Sequence, residues 1–152
     1  CADTVSVRIS KGLGAPVGSA LAGDAETIGR AHRFRKMWGG GMRQAGILAA
    51  AALYALDHNL PKLAEDHAKA QLLAQAVGRA RGLRLARPAE TNILIIEVTD
   101  RRDTPEAVVE DLRQHGVLAA GWDERCLRLV THLDVSMEEA TRAGELLVTL
   151  RG

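Results

Sequence analysis

The stretch TNILIIEVTDRRDTPEAVVEDLRQHG, residues 91–116, reads as one strand followed by one helix. Residues 91–98 form an apolar run with few polar interruptions, the pattern of a strand covered on both faces. Thr104 followed by Pro105 marks a helix start. The threonine hydroxyl can accept an N–H of the first turn, and the N–H that proline lacks would be unpaired there anyway. Gly116 closes the helix, because the residue after a helix often takes the left-handed backbone that glycine adopts freely.

Working outward, LRLARP (83–88) and RCLRLVTH (125–132) read as flanking strands. Ser136 and Glu139 have capping-box spacing and open a last helix that ends near Leu150. From residue 83 the order is therefore strand, strand, helix, strand, helix. That order predicts an α+β or α/β layer with helices against one sheet. Upstream, Leu63, Ala70, Leu73, Val77 and Ala80 recur along one face of a helix over 63–80, with His67 on the same face. Asn59 is read as its cap and Pro61 as part of its first turn. Gly78 and Gly82 weaken and then end it.

Residues 1–60 are organised differently. TVSVRIS (4–10) and SALAG (19–23) are short strands, and Asp24 caps a helix over AETIGRAHRFRKM (25–37). GGGMRQ (39–44) interrupts it, and QAGILAAAALYALDH (44–58) is an alanine-rich helix despite Gly46. A single strand pair cannot cover Leu48, Leu53 and Leu56. Two regions are expected, 1–60 and 61–152, the first of them incomplete.

The chain has 152 residues and is 47% hydrophobic, enough for a core of about one domain. Lysine and arginine number 20 against 19 acidic residues, for a formal charge of +1. That balance argues against a nucleic-acid partner. The longest apolar patch, AGILAAAALYAL (45–56), falls short of the roughly 20 residues of a membrane span. Cys1 and Cys126 form neither a metal spacing nor a disulfide framework, the usage of a reducing compartment such as the cytoplasm. The chain opens CADTV without an initiator methionine, and its start is read as either a processing boundary or a cut through a longer protein.

One lysine stands out in ISKGLGAPVGSALAG (9–23). A lysine after a strand is most often simply solvated. Here Gly12, Gly14 and Gly18 permit close backbone approach, and Pro16 stiffens the loop. Such a loop can hold the Lys11 amine toward a cleft, where it can form a Schiff base with an aldehyde. Pyridoxal phosphate is the commonest cofactor that needs this. The loop is not a Walker phosphate loop, since the lysine precedes the glycines.

SKGLGAPVGS (10–19), FRKMWGGGMRQAGILAAAALYAL (34–56), DH at 66–67, TNI at 91–93 and LRLVTHLDVS (127–136) together resemble the low-specificity L-threonine aldolases. The resemblance runs in order along almost the whole chain. It implies an α/β fold, the C-terminal portion of an aspartate-aminotransferase-like (fold type I) pyridoxal-phosphate enzyme. Residues 1–60 would be the end of the large cofactor-binding domain. Residues 61–152 would be a linking helix and a small α+β domain. Lys11 falls on the family's cofactor-bearing lysine. Arg128 falls on the arginine that pairs with the substrate carboxylate. Lys36 and Arg43 fall on basic positions near the cofactor phosphate and a neighbouring subunit. His132 is read as a packing residue, and no metal is implied.

The resemblance further implies cleavage of L-threonine or L-allo-threonine to glycine and acetaldehyde, by a homodimer or homotetramer. The family's phosphate cradle, ring-stacking histidine and ring-nitrogen aspartate have no counterpart in these residues. They are expected from a missing N-terminal half or a companion chain, without which the 152-residue chain should be inactive. Two alternatives stand beside this: a related lyase acting on other β-hydroxy amino acids, and a non-catalytic truncated or partner chain. Arg8 departs from the family pattern, in a strand that is usually apolar or small there.

Overall fold

The structure, a computed structural model, describes residues 2–150, so Cys1 lies outside the described residues. The chain forms two compact units, one ending at Pro61 and the other beginning at Lys62.

In the first unit β1 (Thr4–Arg8) pairs antiparallel with β2 (Ser19–Gly23), from Thr4 opposite Gly23 to Arg8 opposite Ser19. Arg8 is exposed there, like every other residue of the two strands. Helix α1 (Ala25–Met37) starts where Asp24 accepts the Thr27 N–H at 2.8 Å and the Thr27 hydroxyl at 2.9 Å. These donors hold the Asp24 carboxyl below its usual range. Helix α2 (Gly46–Asn59) buries only Ala55, while Ile47, Leu53 and Tyr54 are exposed.

Asn59 does not cap the next helix. It closes α2, and its side-chain amide donates to the Leu13 carbonyl at 2.8 Å, tying the helix end to the loop between β1 and β2. A 3₁₀ turn, Leu60–Lys62, carries Pro61 and leads into α3 (Leu63–Val77), which has no side-chain cap.

Helix α3 ends at Val77, with Gly78 as its cap residue, and so is shorter than the expected 63–80. Its buried face is Asp66, Lys69, Ala70, Leu73, Ala76 and Val77, and His67 is exposed. Adjacent helix positions lie about 100° apart, so burying Asp66 turns His67 outward. The apolar spacing located the stripe but not the two charges inside it.

The second unit continues with β3 (Leu83–Leu85), β4 (Ile93–Val98), α4 (Pro105–Gln114), β5 (Ala120–Gly121), β6 (Cys126–Val130) and α5 (Met137–Leu150). The sheet order is β3-β4-β6-β5, and every pairing is antiparallel. The two-residue β5 has no counterpart in the sequence reading. Strand side chains alternate, so Leu94, Ile96 and Val98 share a face with their cross-strand neighbours Leu127 and Leu129. That face meets Ala70, Leu73 and Val77 of α3, Val108 and Leu112 of α4 and Leu147 of α5, in one buried cluster. On the other face Ile95 is buried and Ile93 is exposed, so β4 is covered there only in part.

The helix boundaries follow their caps. Thr104 accepts the Ala107 N–H at 3.2 Å with Pro105 in the first turn, and Gly116 follows α4 with φ +83°. Ser136 and Glu139 close a reciprocal box, Ser136 N–H to Glu139 at 2.8 Å and Glu139 N–H to the Ser136 hydroxyl at 3.1 Å. At Gly144 an added Cβ would lie 3.2 Å from the Ala76 Cβ, so this glycine lets α5 approach α3 closely. Among the described residues no helix is long and apolar enough to cross a membrane, and no three potential metal ligands cluster.

Candidate active site

The Lys11 loop is pinned on both sides of the lysine. Ile9 N–H donates to the Gly18 carbonyl at 3.2 Å, and Ala15 N–H donates to the Ile9 carbonyl at 3.0 Å. Gly14 N–H donates to the Lys11 carbonyl at 2.8 Å, closing a turn around Gly12 and Leu13. Gly14 and Gly18 take φ +71° and +117°, which side chains other than glycine rarely adopt. Leu13 and Ala15 point inward and are buried, while Lys11 is exposed. The expectation of an amine turned away from open solvent is therefore not met in this chain. The inward positions of the loop go to apolar side chains.

Lys36 occupies the last turn of α1, where a cation meets the negative end of the helix dipole. The glycines after it fold back over its stem, and a Cβ at Gly41 would lie 2.9 Å from the Lys36 Cδ. Arg43 is exposed beside Gln44, whose φ is +51°. Lys11, Lys36 and Arg43 stand on three separate segments of the first unit.

Arg128 belongs to the second unit. Leu127 and Leu129 face the core, so Arg128 emerges on the opposite face, across from Ile95 on β4 and Ala120 on β5. Its guanidinium carbon lies 5.3 Å from the centroid of the Trp122 ring. Its Nε is shut off from solvent with no hydrogen-bond partner, and no described carboxylate lies within ion-pair distance of it. The other arginine of this face, Arg84, is paired with Glu97 at 2.7 Å. Arg128 is thus held by apolar and aromatic surface with its charge uncompensated.

The end of β6 is fixed by a buried polar cluster. The Thr131 hydroxyl donates to the Asp66 carbonyl at 2.6 Å, and Thr131 N–H donates to the Asn92 carbonyl at 3.0 Å. Asn92 returns a side-chain bond to the Thr131 carbonyl at 2.7 Å. Lys69 donates to Asp66 at 2.9 Å and to the His132 carbonyl at 3.3 Å. His132 itself is exposed, with its ring 3.6 Å from the Asp134 carboxylate. Sequence reasoning quoted Asp66, Asn92 and Thr131 within motifs but did not assemble them, and it missed Lys69 and Trp122. A lysine one turn after an aspartate was the available signal for the buried pair.

The family model for beta-eliminating lyases matches residues 1–101. The chain belongs to the beta-eliminating lyase family. It is 44% identical to low-specificity L-threonine aldolase 1 of Arabidopsis thaliana over 140 residues, 91% of this chain. It is 45% identical to the low specificity L-threonine aldolase of Escherichia coli K12 over 137 residues, 90% of this chain. The chain spans 39% of the length of each of these two relatives. Among solved structures, threonine aldolase of Leishmania major superposes with a TM-score of 0.75 at 19% identity, over 99% of this chain and 44% of that one. That likeness is one of fold. It gives this beta-eliminating lyase family member the C-terminal part of an aldolase- and aminotransferase-type architecture.

Among the described residues, Lys11 carries the group to which an aldehyde cofactor such as pyridoxal phosphate bonds, a primary amine. Lys11 offers an exposed primary amine with no described carboxylate partner, on a loop whose backbone is fixed by hydrogen bonds.

Proposed function

We propose that this chain is the lysine- and arginine-bearing part of a longer threonine-aldolase-type carbon–carbon lyase. The substrate would be L-threonine or L-allo-threonine and the products glycine and acetaldehyde. The observation that carries this reading is the 44% and 45% identity to two low-specificity aldolases over nine tenths of the chain. The uncompensated charge of Arg128 supports it from the side of chemistry.

Pyridoxal phosphate, when bound, supplies the electron sink for breaking a bond at the amino-acid Cα. Lys11 is the residue that would hold it, through its amine. Lys36 and Arg43 would meet the phosphate. Arg128 receives the substrate carboxylate, for which the planar fork of a guanidinium is suited. In the overall reaction the β-hydroxyl proton leaves, the Cα–Cβ bond breaks, and Cα takes up a proton. The remaining contacts to the cofactor would come from an N-terminal half or a companion chain.

Assembly as a homodimer or homotetramer fits the exposed Ile47, Leu53, Tyr54 and Leu56 on α2, which need a covering surface. A cytoplasmic location accords with Cys126, a free buried thiol that burial pushes above its usual pKa and so keeps unreactive.

A second reading, a lyase acting on other β-hydroxy amino acids or eliminating a β-substituent, is favoured by the family description itself. One assay separates them. The complete protein, loaded with cofactor, is given threonine, allo-threonine, phenylserine and serine. Acetaldehyde and glycine from the first two support the aldolase reading, while pyruvate and ammonia from serine alone would replace it. No turnover of any of them by the complete, loaded protein would leave the non-catalytic alternative.

A further inference from the structure

We propose that Trp122 is a positioning residue for Arg128, its indole face holding the guanidinium ready for a substrate carboxylate. The inference rests on the carboxylate-anchor reading of Arg128 above.

The strand register brings the two residues together. Ala120 pairs with Arg128 and Gly121 with Leu127, and Trp122 N–H donates to the Cys126 carbonyl at 2.9 Å. Ala120 and Trp122 therefore share the face on which Arg128 emerges, one directly opposite and the other diagonal to it. Ala120 has only a methyl group, so the long arginine side chain meets no bulk across the strand. It leans along the diagonal, and its guanidinium carbon comes to 5.3 Å from the Trp122 centroid. That lies inside the range of about 6 Å over which a cation and an aromatic face attract.

An aromatic support differs from a carboxylate in one respect. It orients the cation without neutralising it. The neighbouring acids are occupied elsewhere: Glu97 is paired with Arg84, and Asp123 accepts the N–H groups of Arg125 and Cys126 at 2.9 and 2.8 Å. An internal carboxylate on Arg128 would compete with the substrate. The Trp122 ring does not, and it is itself 53% exposed, so the pair lies open. The buried, partnerless Nε says the same: the end of this side chain is fixed by surface contact and not by hydrogen bonds.

The test uses the complete, cofactor-loaded protein and two readouts. In steady-state kinetics Trp122→Ala should raise KM for threonine about three-fold with kcat changed less, and Trp122→Phe should restore most of the loss. In NMR the Arg128 Nε–H resonance should carry an upfield ring-current shift. That shift should be lost in Trp122→Ala, kept in Trp122→Phe, and perturbed by added glycine in the unaltered protein. If Trp122→Ala removes the ring-current shift yet leaves KM unchanged, the positioning role is overturned while the anchor reading stands. Equal losses in the alanine and phenylalanine variants, alongside a lowered melting temperature, would likewise overturn it in favour of a purely structural role. If Arg128→Ala leaves KM unchanged, the anchor reading falls and takes this inference with it.

Discussion

Lys69 donates to Asp66 across 2.9 Å with both side chains buried, and the second carboxylate oxygen of Asp66 has no hydrogen-bond partner. Removing one partner of such a pair strands the other charge in a low-dielectric interior. Lys69→Met should therefore destabilise the second unit by about 3–5 kcal/mol. Replacing both, Asp66→Leu with Lys69→Met, should recover much of that loss. Urea melts of Lys69→Met, Asp66→Leu and the double variant measure it, and a double-variant loss equal to the sum of the two single losses would show that the pair is not coupled.

Arg128 carries the substrate in the proposed reaction. In the complete protein Arg128→Ala should lower kcat/KM for threonine at least about thirty-fold, since a lost charged hydrogen-bonded pair costs about 2 kcal/mol or more. Steady-state assays at saturating cofactor check this. Lys11→Ala should abolish covalent cofactor attachment, read as loss of the visible absorbance that survives gel filtration.

Glycine at position 144 is set by helix approach and not by backbone conformation. Gly144→Val would drive branched carbons into Ala76 and Leu72, whose side chains lie 3.2 and 3.4 Å from the position of a Cβ. Overpacking of this kind costs about 1–3 kcal/mol. Thermal unfolding should report it, whereas Gly29→Ala on α1, where an added Cβ meets nothing within 4 Å, should not be destabilising.

Asp123 sets a pH limit on the turn between β5 and β6. The N–H of Arg125, with the thiol and the N–H of Cys126, holds its carboxyl below the usual value of 3.8. A depressed folded pKa adds stability that is fully present above the unfolded value and lost as pH falls through the folded one. The turn should therefore stay closed at neutral pH and loosen below about pH 4. The amide signals of Arg125 and Cys126 should then move together, and Asp123→Asn should weaken that acid response. Amide shifts that stay fixed between pH 5 and pH 2 would contradict this.

The sequence made the second unit legible because its signals are local. Thr104 with Pro105, Gly116, and Ser136 with Glu139 each satisfy backbone groups within one turn, and each boundary falls where these residues put it. Arg128 could be placed opposite the core because alternation along a strand is a property of the strand itself. Asn59 failed for the complementary reason. Its amide serves the carbonyl of Leu13, a residue far away in sequence, and no local pattern encodes that bond. The Asp66–Lys69 pair was hidden because charges inside an apolar stripe read as its polar edge. Trp122 was hidden because a two-residue strand leaves no periodic trace.

Core content also separates the two units. The buried cluster runs from Ala70 to Leu147 and lies within the second, while the first buries only Leu13, Ala15 and Ala55 among its described apolar side chains. For the 152-residue chain, hydrogen exchange should be slow in β4, β6 and α3 and fast through residues 4–45. Adding an N-terminal half should slow the latter. Uniform protection across both units in the 152-residue chain would rule this out.

The four-stranded sheet ends on its two shortest strands, β3 with three residues and β5 with two. The β1–β2 ribbon is the reverse case: five residues on each strand, every one exposed, with Val5, Val7 and Leu21 among them. A foreign strand finds little backbone to template on in the first sheet and a full-length, apolar edge in the second. Should this chain form amyloid-like aggregates, their nucleus should therefore map to residues 4–8 and 19–23. A charged substitution such as Val7→Lys should then slow fibril growth more than any change at the rim of the larger sheet.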